Sequence, residues 1–355
     1  MVIAMSDLVL VDAEKLTSYL SCVLEAVDMP HDEAGIVADC MVDAELSGIS
    51  SHGVTRTKMY VDAIIAGGIK PAFQYDIVAE APASAVIDVH GSHGISAAYH
   101  AMKMAIEKAR TTGIAMVNVR DSNHCGETGY FARMAAEEGM IGIVTSNAPK
   151  NMAPWGSAEK YLGTNPLAIA IPTGDTPFSL DMATSTVARG KVILANKKGE
   201  KIPLGWAIDE QGNPTTDPAA ALLGSVVPFG GAKGSGIAMV IDIICGVMSG
   251  SGFGHYMYDA TKYPDRSNHT GHSCVAIDIS KFINYEDFIK TMKVYCQDLS
   301  ALKAAPGFDK VIMPGVKEAD SRREMHKNGI PLPAAVYDEL KGFAEKYKLP
   351  FEIRR

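Results

Sequence analysis

A chain of 355 residues that is 47% hydrophobic can bury a large core, and at roughly 100–200 residues per domain it holds two domains or one composite one. Its net charge of -8 and pI near 5.7 exclude the concentrated basic surface that nucleic-acid binding needs, and no run of about 18 apolar residues marks a membrane span. Six cysteines (Cys22, Cys40, Cys125, Cys245, Cys274, Cys296) without a CxxC pair read as reduced thiols, and MVIAMSDLVLVDAEKL lacks the basic stretch, apolar core and cleavage site of a secretory leader, so a cytoplasmic protein is expected.

The first seventy residues read as helical. Apolar positions from about Ala13 to Val27 recur at helical spacing, and HDEAGIVADCMVDAELSGI continues the pattern, with Asp32 and Glu33 placed to suit the positive end of a helix dipole. His52, Arg56 and Tyr60 follow at four-residue intervals, which would put them on one helix stripe. Such a stripe is either a functional face or a solvated face with a core tyrosine. GGIKP (67–71) breaks the helix. ASAVIDV (83–89) reads as a strand, AAYHAMKMAIEKARTTG (97–113) as a helix with a glycine stop, and GIAMVNVRD (113–121) as a strand. A helix over 127–140 and a strand over 141–147 come next, then the strand-like LAIAIPTG and PFSLDMAT. WAIDEQGNPTTDP (206–218) is turn chemistry, GSGIAMVIDIICGVMSG (234–250) an apolar helix, SCVAIDI (273–279) a strand, and 282–299 and 334–349 are helices. The pattern mixes α and β without a clean alternation of parallel βαβ units.

The chemistry-bearing stretches lie between these elements. DSNHCGETGYF places His124 at a strand-to-helix junction, followed by Gly126 and Gly129, which permit close backbone approach by a ligand. A histidine in such a turn is otherwise an ordinary polar loop residue. GTNPLAIAIP sets Thr164 and Asn165 before a strand, and DMATSTVARGKV ends another strand in a hydroxyl-rich turn followed by Arg189 and Lys191. PFGGAKGSG carries Lys233 in a glycine-rich loop but lacks the Walker spacing, and no GxGxxG exists, so the ordinary Rossmann fingerprint is missing. His255, His269 and His272 have no cysteine or carboxylate completing a zinc-like set, so no metal is expected.

Taken in order, SSHGVTR, DSNHCGETGYF, GTNPLAIAIP, DMATSTVARGKV and GGAKGSG resemble the type 2 malate/L-lactate dehydrogenase family, which includes ureidoglycolate, sulfolactate and diketogulonate enzymes. The resemblance runs from about residue 8 to 325. It implies a non-Rossmann α/β fold, with a helical substrate-side part (1–75 plus 305–355) and an inserted mixed-sheet NAD(P)-binding part (76–304). It also implies a homodimer and oxidation of a small 2-hydroxy acid to its 2-keto acid. Carried over by position, His52 is the acid/base with Ser51 as its relay, Arg56 holds the substrate carboxylate, and Tyr60 is a further substrate contact. His124 lies by the nicotinamide and is the base in some members. Thr164, Arg189 and Gly190 match substrate-side positions. Cofactor contacts match His124, Cys125, Gly126, Glu127 and Thr128, then Asp181, Met182 and Ala183, then Lys233, then Pro314, Gly315, Val316 and Lys317. Lys191 stands where some relatives carry an acidic relay residue. No arginine cluster is placed for a 2′-phosphate, which inclines the cofactor expectation from NADP toward NAD.

These residue types suit the reaction. An imidazole, with an ordinary pKa of about 6.5, can take a hydroxyl proton near neutrality. A guanidinium makes two parallel charge-assisted bonds to a carboxylate.

Overall fold

The computed structural model describes residues 8–355, so the first seven residues of the expected 1–75 segment, and the start of the leader reading, lie outside it. β1 (Leu8–Val11) is followed by α1 (Ala13–Glu25), α2 (His31–Leu46), a 3-10 turn (Val54–Arg56) and α3 (Thr57–Ala66). Next come β2 (Asp76–Ala81), β3 (Ser84–Asp88), α4 (Gly94–Thr112), β4 (Ile114–Ser122), α5 (Thr128–Glu137) and β5 (Met140–Ser146). The middle carries β6 (Leu167–Ile171), β7 (Phe178–Met182), α6 (Arg189–Lys198), β8 (Ala207–Ile208), β9 (Pro214–Thr215), α7 (Pro218–Leu223) and β10 (Ser225–Val226). α8 (Ala232–Asp242) continues into a π-helical turn (Ile243–Met248), then β11 (Thr270–Asp278), α9 (Tyr285–Ala301), α10 (Val316–Asn328), β12 (Ile330–Pro333) and α11 (Ala334–Tyr347).

Seven strands form one sheet in the order β2-β3-β4-β11-β5-β6-β7, and only β3 and β4 run parallel. α4 makes that parallel crossover and α5 joins β4 to β5, so both helices cover one face of the sheet. The alternation that buries one side of each strand follows from the two-residue period of side chains: Ala115, Val117 and Val119 of β4 point into the core. Gly142 on β5 has no room for a methyl group, because a Cβ would lie 2.2 Å from the Ala132 carbonyl of α5. β1 pairs antiparallel with β12, with Val9 opposite Leu332, which ties the start of the described chain to its end. One large core joins α1, α2, the sheet and α11, and a smaller one gathers Met152, Leu162, Val192 and Val226 around the three-stranded β10-β8-β9 sheet.

Most elements fall where periodicity places them. Three expectations are corrected. Residues Leu8–Val11 are strand, because their backbone is completed by β12. The turn-rich 206–218 stretch contains the short β8–β9 hairpin. His52, Arg56 and Tyr60 do not share one helix: His52 is in a turn, Arg56 closes a 3-10 turn, and only Tyr60 is on α3.

Candidate active site

The His52 turn is shaped by the carboxylate of Glu45, seven residues before it. α2 ends at Ser47, and Gly48 turns the chain in the left-handed region at φ 76°. Glu45, buried on the last turn of α2, accepts the Val54 amide at 2.9 Å and so hooks the loop back. A Cβ on Gly53 would sit 2.3 Å from Glu45 Oε1, which is why glycine follows His52. Ser51 Oγ and His52 Nδ1 are 3.0 Å apart. Arg56 donates Nε–H to the Ser51 carbonyl at 2.7 Å, and among the described residues its guanidinium has no carboxylate partner. The end of the guanidinium is therefore open to an anion.

His124 is held from the other side. Asn123 donates to the Gly91 and Ser92 carbonyls at 2.8 and 3.2 Å, while its Oδ1 accepts the Asn268 amide at 2.9 Å, which clamps the turn after β4. The His124 ring lies nearly parallel to that of His52, with centroids 5.5 Å apart and planes at 20°. Its Nδ1 receives the Gly126 backbone N–H at 3.2 Å and lies 2.7 Å from the Tyr60 hydroxyl. A backbone N–H can only donate, so Nδ1 carries no proton and neutral His124 holds its proton on Nε2. Tyr60 is fully buried (0% exposed), and its hydroxyl is spent on His124.

Burial sets the charge states. It pushes His52 down to about 4, with the nearby Arg56 guanidinium acting in the same direction. Burial, and then Arg56 and His52, hold His124 well below the usual histidine range. Both imidazoles are neutral at pH 7. The ordinary value near 6.5 expected from residue type does not apply to imidazoles so desolvated.

The positions expected to hold the cofactor converge in part. A cleft of about 240 Å³ is lined by Glu127, Arg133, Asp181, Pro314, Gly315 and Lys317. Asp181 accepts from Thr128 Oγ1 at 3.0 Å and from the Gly129 amide at 2.6 Å, so it ties the end of β7 to the start of α5. Pro314 reaches β7 as well, its carbonyl accepting the Ser179 amide at 3.1 Å. Glu127 bonds Arg133 at 2.9 Å through Oε1, while Oε2 is buried with no partner among the described residues. A buried acceptor in a cleft wall suits the hydroxyl and amide donors of a nicotinamide nucleotide. Met182 ends β7 and Ala183 follows it, and Val316 opens α10 behind Gly315. Cys125 is buried and its thiol is pushed up to about 12 by desolvation, so it is present as an unreactive neutral group.

Other expected positions stand apart. Thr164 gives its carbonyl to the Thr184 amide at 2.8 Å; Arg189 and Gly190 open α6 and Lys233 is exposed on the first turn of α8. No hydrogen bond or ion pair joins these four to His52, Arg56 or His124 among the described residues. The three candidate metal histidines also diverge: His255 meets Lys150, His269 meets Asp121, and His272 sits between Ser146 and Ser122. Sequence reasoning missed the network in which Asp43 receives both Arg133 and Arg322. A signal existed for Arg133, a charge among the buried positions of α5.

Comparison with known proteins agrees with the motif order. A family model described as malate/L-lactate dehydrogenase matches residues 11–341. Malate dehydrogenase of Pyrococcus horikoshii is 39% identical over 344 residues, covering 95% of each chain. The malate/(S)-sulfolactate dehydrogenase of Methanothermus fervidus is 38% identical over 340 residues, covering 96% of this chain and 98% of its own. The solved sulfolactate dehydrogenase from Methanocaldococcus jannaschii superimposes with a TM-score of 0.91 at 36% identity, covering 96% of this chain and 98% of its own.

Proposed function

The chain belongs to the malate/L-lactate dehydrogenase family and is an NAD(P)-dependent 2-hydroxy-acid dehydrogenase; from that premise we propose how its residues divide the work. The substrate is of the malate or lactate type, with ureidoglycolate as the alternative. The observation that supports this assignment of roles is the pair of donors on His124 Nδ1, because it favours His124 as an Nε2–H donor and His52 as the imidazole that accepts a proton.

Arg56 takes the substrate carboxylate through its open guanidinium edge, and the Ser51 carbonyl on Nε keeps that edge aimed. His124 donates Nε2–H to the substrate oxygen and so orients it in both directions of the reaction. His52 takes the hydroxyl proton on Nε2 while its Nδ1–H is held by Ser51 Oγ at 3.0 Å. When bound, the nicotinamide supplies the hydride acceptor. In reduction, the protonated His52 returns its proton to the same oxygen. The carboxylate on Arg56 offsets part of the positive charge that disfavours a protonated His52, so substrate binding makes the base stronger. Glu127, Asp181, Lys317 and the Pro314–Gly315 turn would hold the cofactor, with Lys233 at the start of α8 as a further contact.

Four further assignments go with this reading. The segments 1–75 and 305–355 are assigned to the substrate side and 76–304 to the cofactor side, with the His52 and His124 rings facing across their boundary and Pro314–Lys317 reaching over to the cofactor cleft. The six free cysteines suit a reducing cytoplasm. Ile237, Val240, Ile243 and Val247 are 39–56% exposed along α8 and its π-helical continuation, an apolar stripe that a homodimer would cover. NAD is preferred over NADP. Incubation with each cofactor and a panel of L-malate, L-lactate, sulfolactate and ureidoglycolate is expected to raise absorbance at 340 nm. No rise with any acid and either cofactor would overturn the reading.

A further inference from the structure

Behind Tyr60 lies a buried polar group that the reaction does not use directly. His93 is 1% exposed and caps α4, its Nδ1 accepting the Ile95 amide at 3.2 Å. That bond makes Nδ1 the bare nitrogen and puts the proton on Nε2. Yet His93 Nε2 has no hydrogen-bond partner among the described residues, nor have Ser96 Oγ and Glu33 Oε2. The three belong to two facing helix starts. His93 and Ser96 are on the first turn of α4, and Glu33 is on the first turn of α2, which packs against α4. Desolvation works against the Glu33 carboxylate, the His100 bond and then the nearby Ser96 hydroxyl favour it, and the Glu33 carboxylate in turn opposes the fall that burial imposes on the His93 pKa. Glu33 is anchored at its other oxygen by His100 Nε2 at 2.8 Å, toward solvent.

A donor, an acceptor and a hydroxyl, all buried and all unsatisfied in one place, are what a single internal water needs, since such a water makes two to four bonds to buried polar groups. The ring they would fix touches the site: His93 meets Tyr60 edge-on, with centroids 4.4 Å apart. Gly94 beside it packs so tightly on the His124 turn that a Cβ would lie 2.4 Å from the His124 carbonyl.

We propose that His93 is a positioning residue, fixed by a water shared with Glu33 and Ser96, which holds the Tyr60 ring so that its hydroxyl stays on His124 Nδ1. Desolvation, which keeps His93 neutral and pushes the Tyr60 phenol above its ordinary range, is consistent with a network that passes orientation and no net charge. The inference rests on His124 being the Nε2–H donor of the reaction, and its test reads the tautomer without substrate. In the ¹⁵N spectrum of the unliganded wild type, His93 and His124 should both show a bare Nδ1 and a protonated Nε2. His93→Asn retains a capping acceptor for α4 but can neither reach the water nor brace Tyr60. It should mix the two tautomers of His124 and lower kcat about tenfold, a small part of the roughly 10²–10⁴-fold that proton transfer supplies. Substrate KM should be little changed. Glu33→Gln, near the outer end of the chain, should give a weaker mixing of the same kind and covers the case in which His93→Asn does not fold. A protonated Nδ1 on wild-type His93, or an unmixed His124 in both variants, would overturn the proposal. Mixing in a protein that turns over no 2-hydroxy acid would leave it standing and overturn the functional reading instead.

Discussion

Gly53 and Glu45 carry the site although neither meets the substrate. A methyl group at Gly53 would push the Glu45 carboxylate off the Val54 amide. Gly53→Ala is therefore expected to cost roughly 1–3 kcal/mol, the penalty for leaving a buried group unsatisfied, and to lower kcat because His52 rides on the same loop. Thermal melts and steady-state kinetics on that variant check both effects. Arg56→Lys keeps the charge but loses the fork and the Nε–H bond to Ser51. Its KM for the acid should rise about ten- to a hundredfold, as expected for one charge-assisted bond of about 1.5–3 kcal/mol, with cofactor affinity by calorimetry unchanged. An equal loss of cofactor affinity would remove Arg56 from the substrate carboxylate. His52, Arg56 and His124 were picked out by the order of the motifs that carry them, and the structure brings the His52 and His124 rings to 5.5 Å. Glu45 was not, because its importance depends on a loop closing over it.

At the scale of elements, the four-residue spacing was a true signal with the wrong geometry behind it. Periodicity assumes an unbroken helix, and the Glu45 hook replaces the first turn of that helix with a loop and a 3-10 turn. The side chains still converge, since Tyr60 reaches His124 from α3 and His52 stacks on it from the loop. α10 escaped a pattern-based reading for a related reason: it has no fully buried residue and holds to α2 through charge. Arg322 spans both Asp43 oxygens at 3.0 and 3.2 Å, and Arg133 meets the same carboxylate from α5. Asp43→Asn takes the anion from Arg322 and leaves Arg133 with Glu127 alone, and should cost about 3 kcal/mol, the low end for breaking a buried ionic contact because Asp43 is one-fifth exposed. Hydrogen exchange on that variant should show α10 opening ahead of the sheet. Uniform protection of α10 and the sheet would contradict the role given to Asp43.

For the whole molecule, four desolvated imidazoles outweigh the one strongly raised carboxyl, Glu127, in how stability responds to acid. His52 and His272 are pushed to about 4 and His93 to about 3, all by desolvation, against 6.5 for an ordinary histidine. Above pH 6.5 they are neutral in both folded and unfolded chains and add no pH dependence. Between pH 6.5 and 4 the unfolded chain binds protons that the folded one refuses, so stability falls as the pH drops. Calorimetric melts should be flat near neutrality and decline through that window; a midpoint that rises there would contradict the burial of these rings. The apolar stripe of α8 makes a second whole-molecule expectation: sedimentation should report a dimer, and Val247→Asp should shift it toward monomer. The most direct test of the account is the pairing of turnover with cofactor affinity in His52→Ala. The account predicts a loss of about 10²–10⁴ in kcat for the best 2-hydroxy acid, with the dissociation constant for the nicotinamide nucleotide essentially that of the wild type. If His52→Ala keeps its turnover while His124→Ala loses it, the proton is taken by His124 and the account is wrong at its centre.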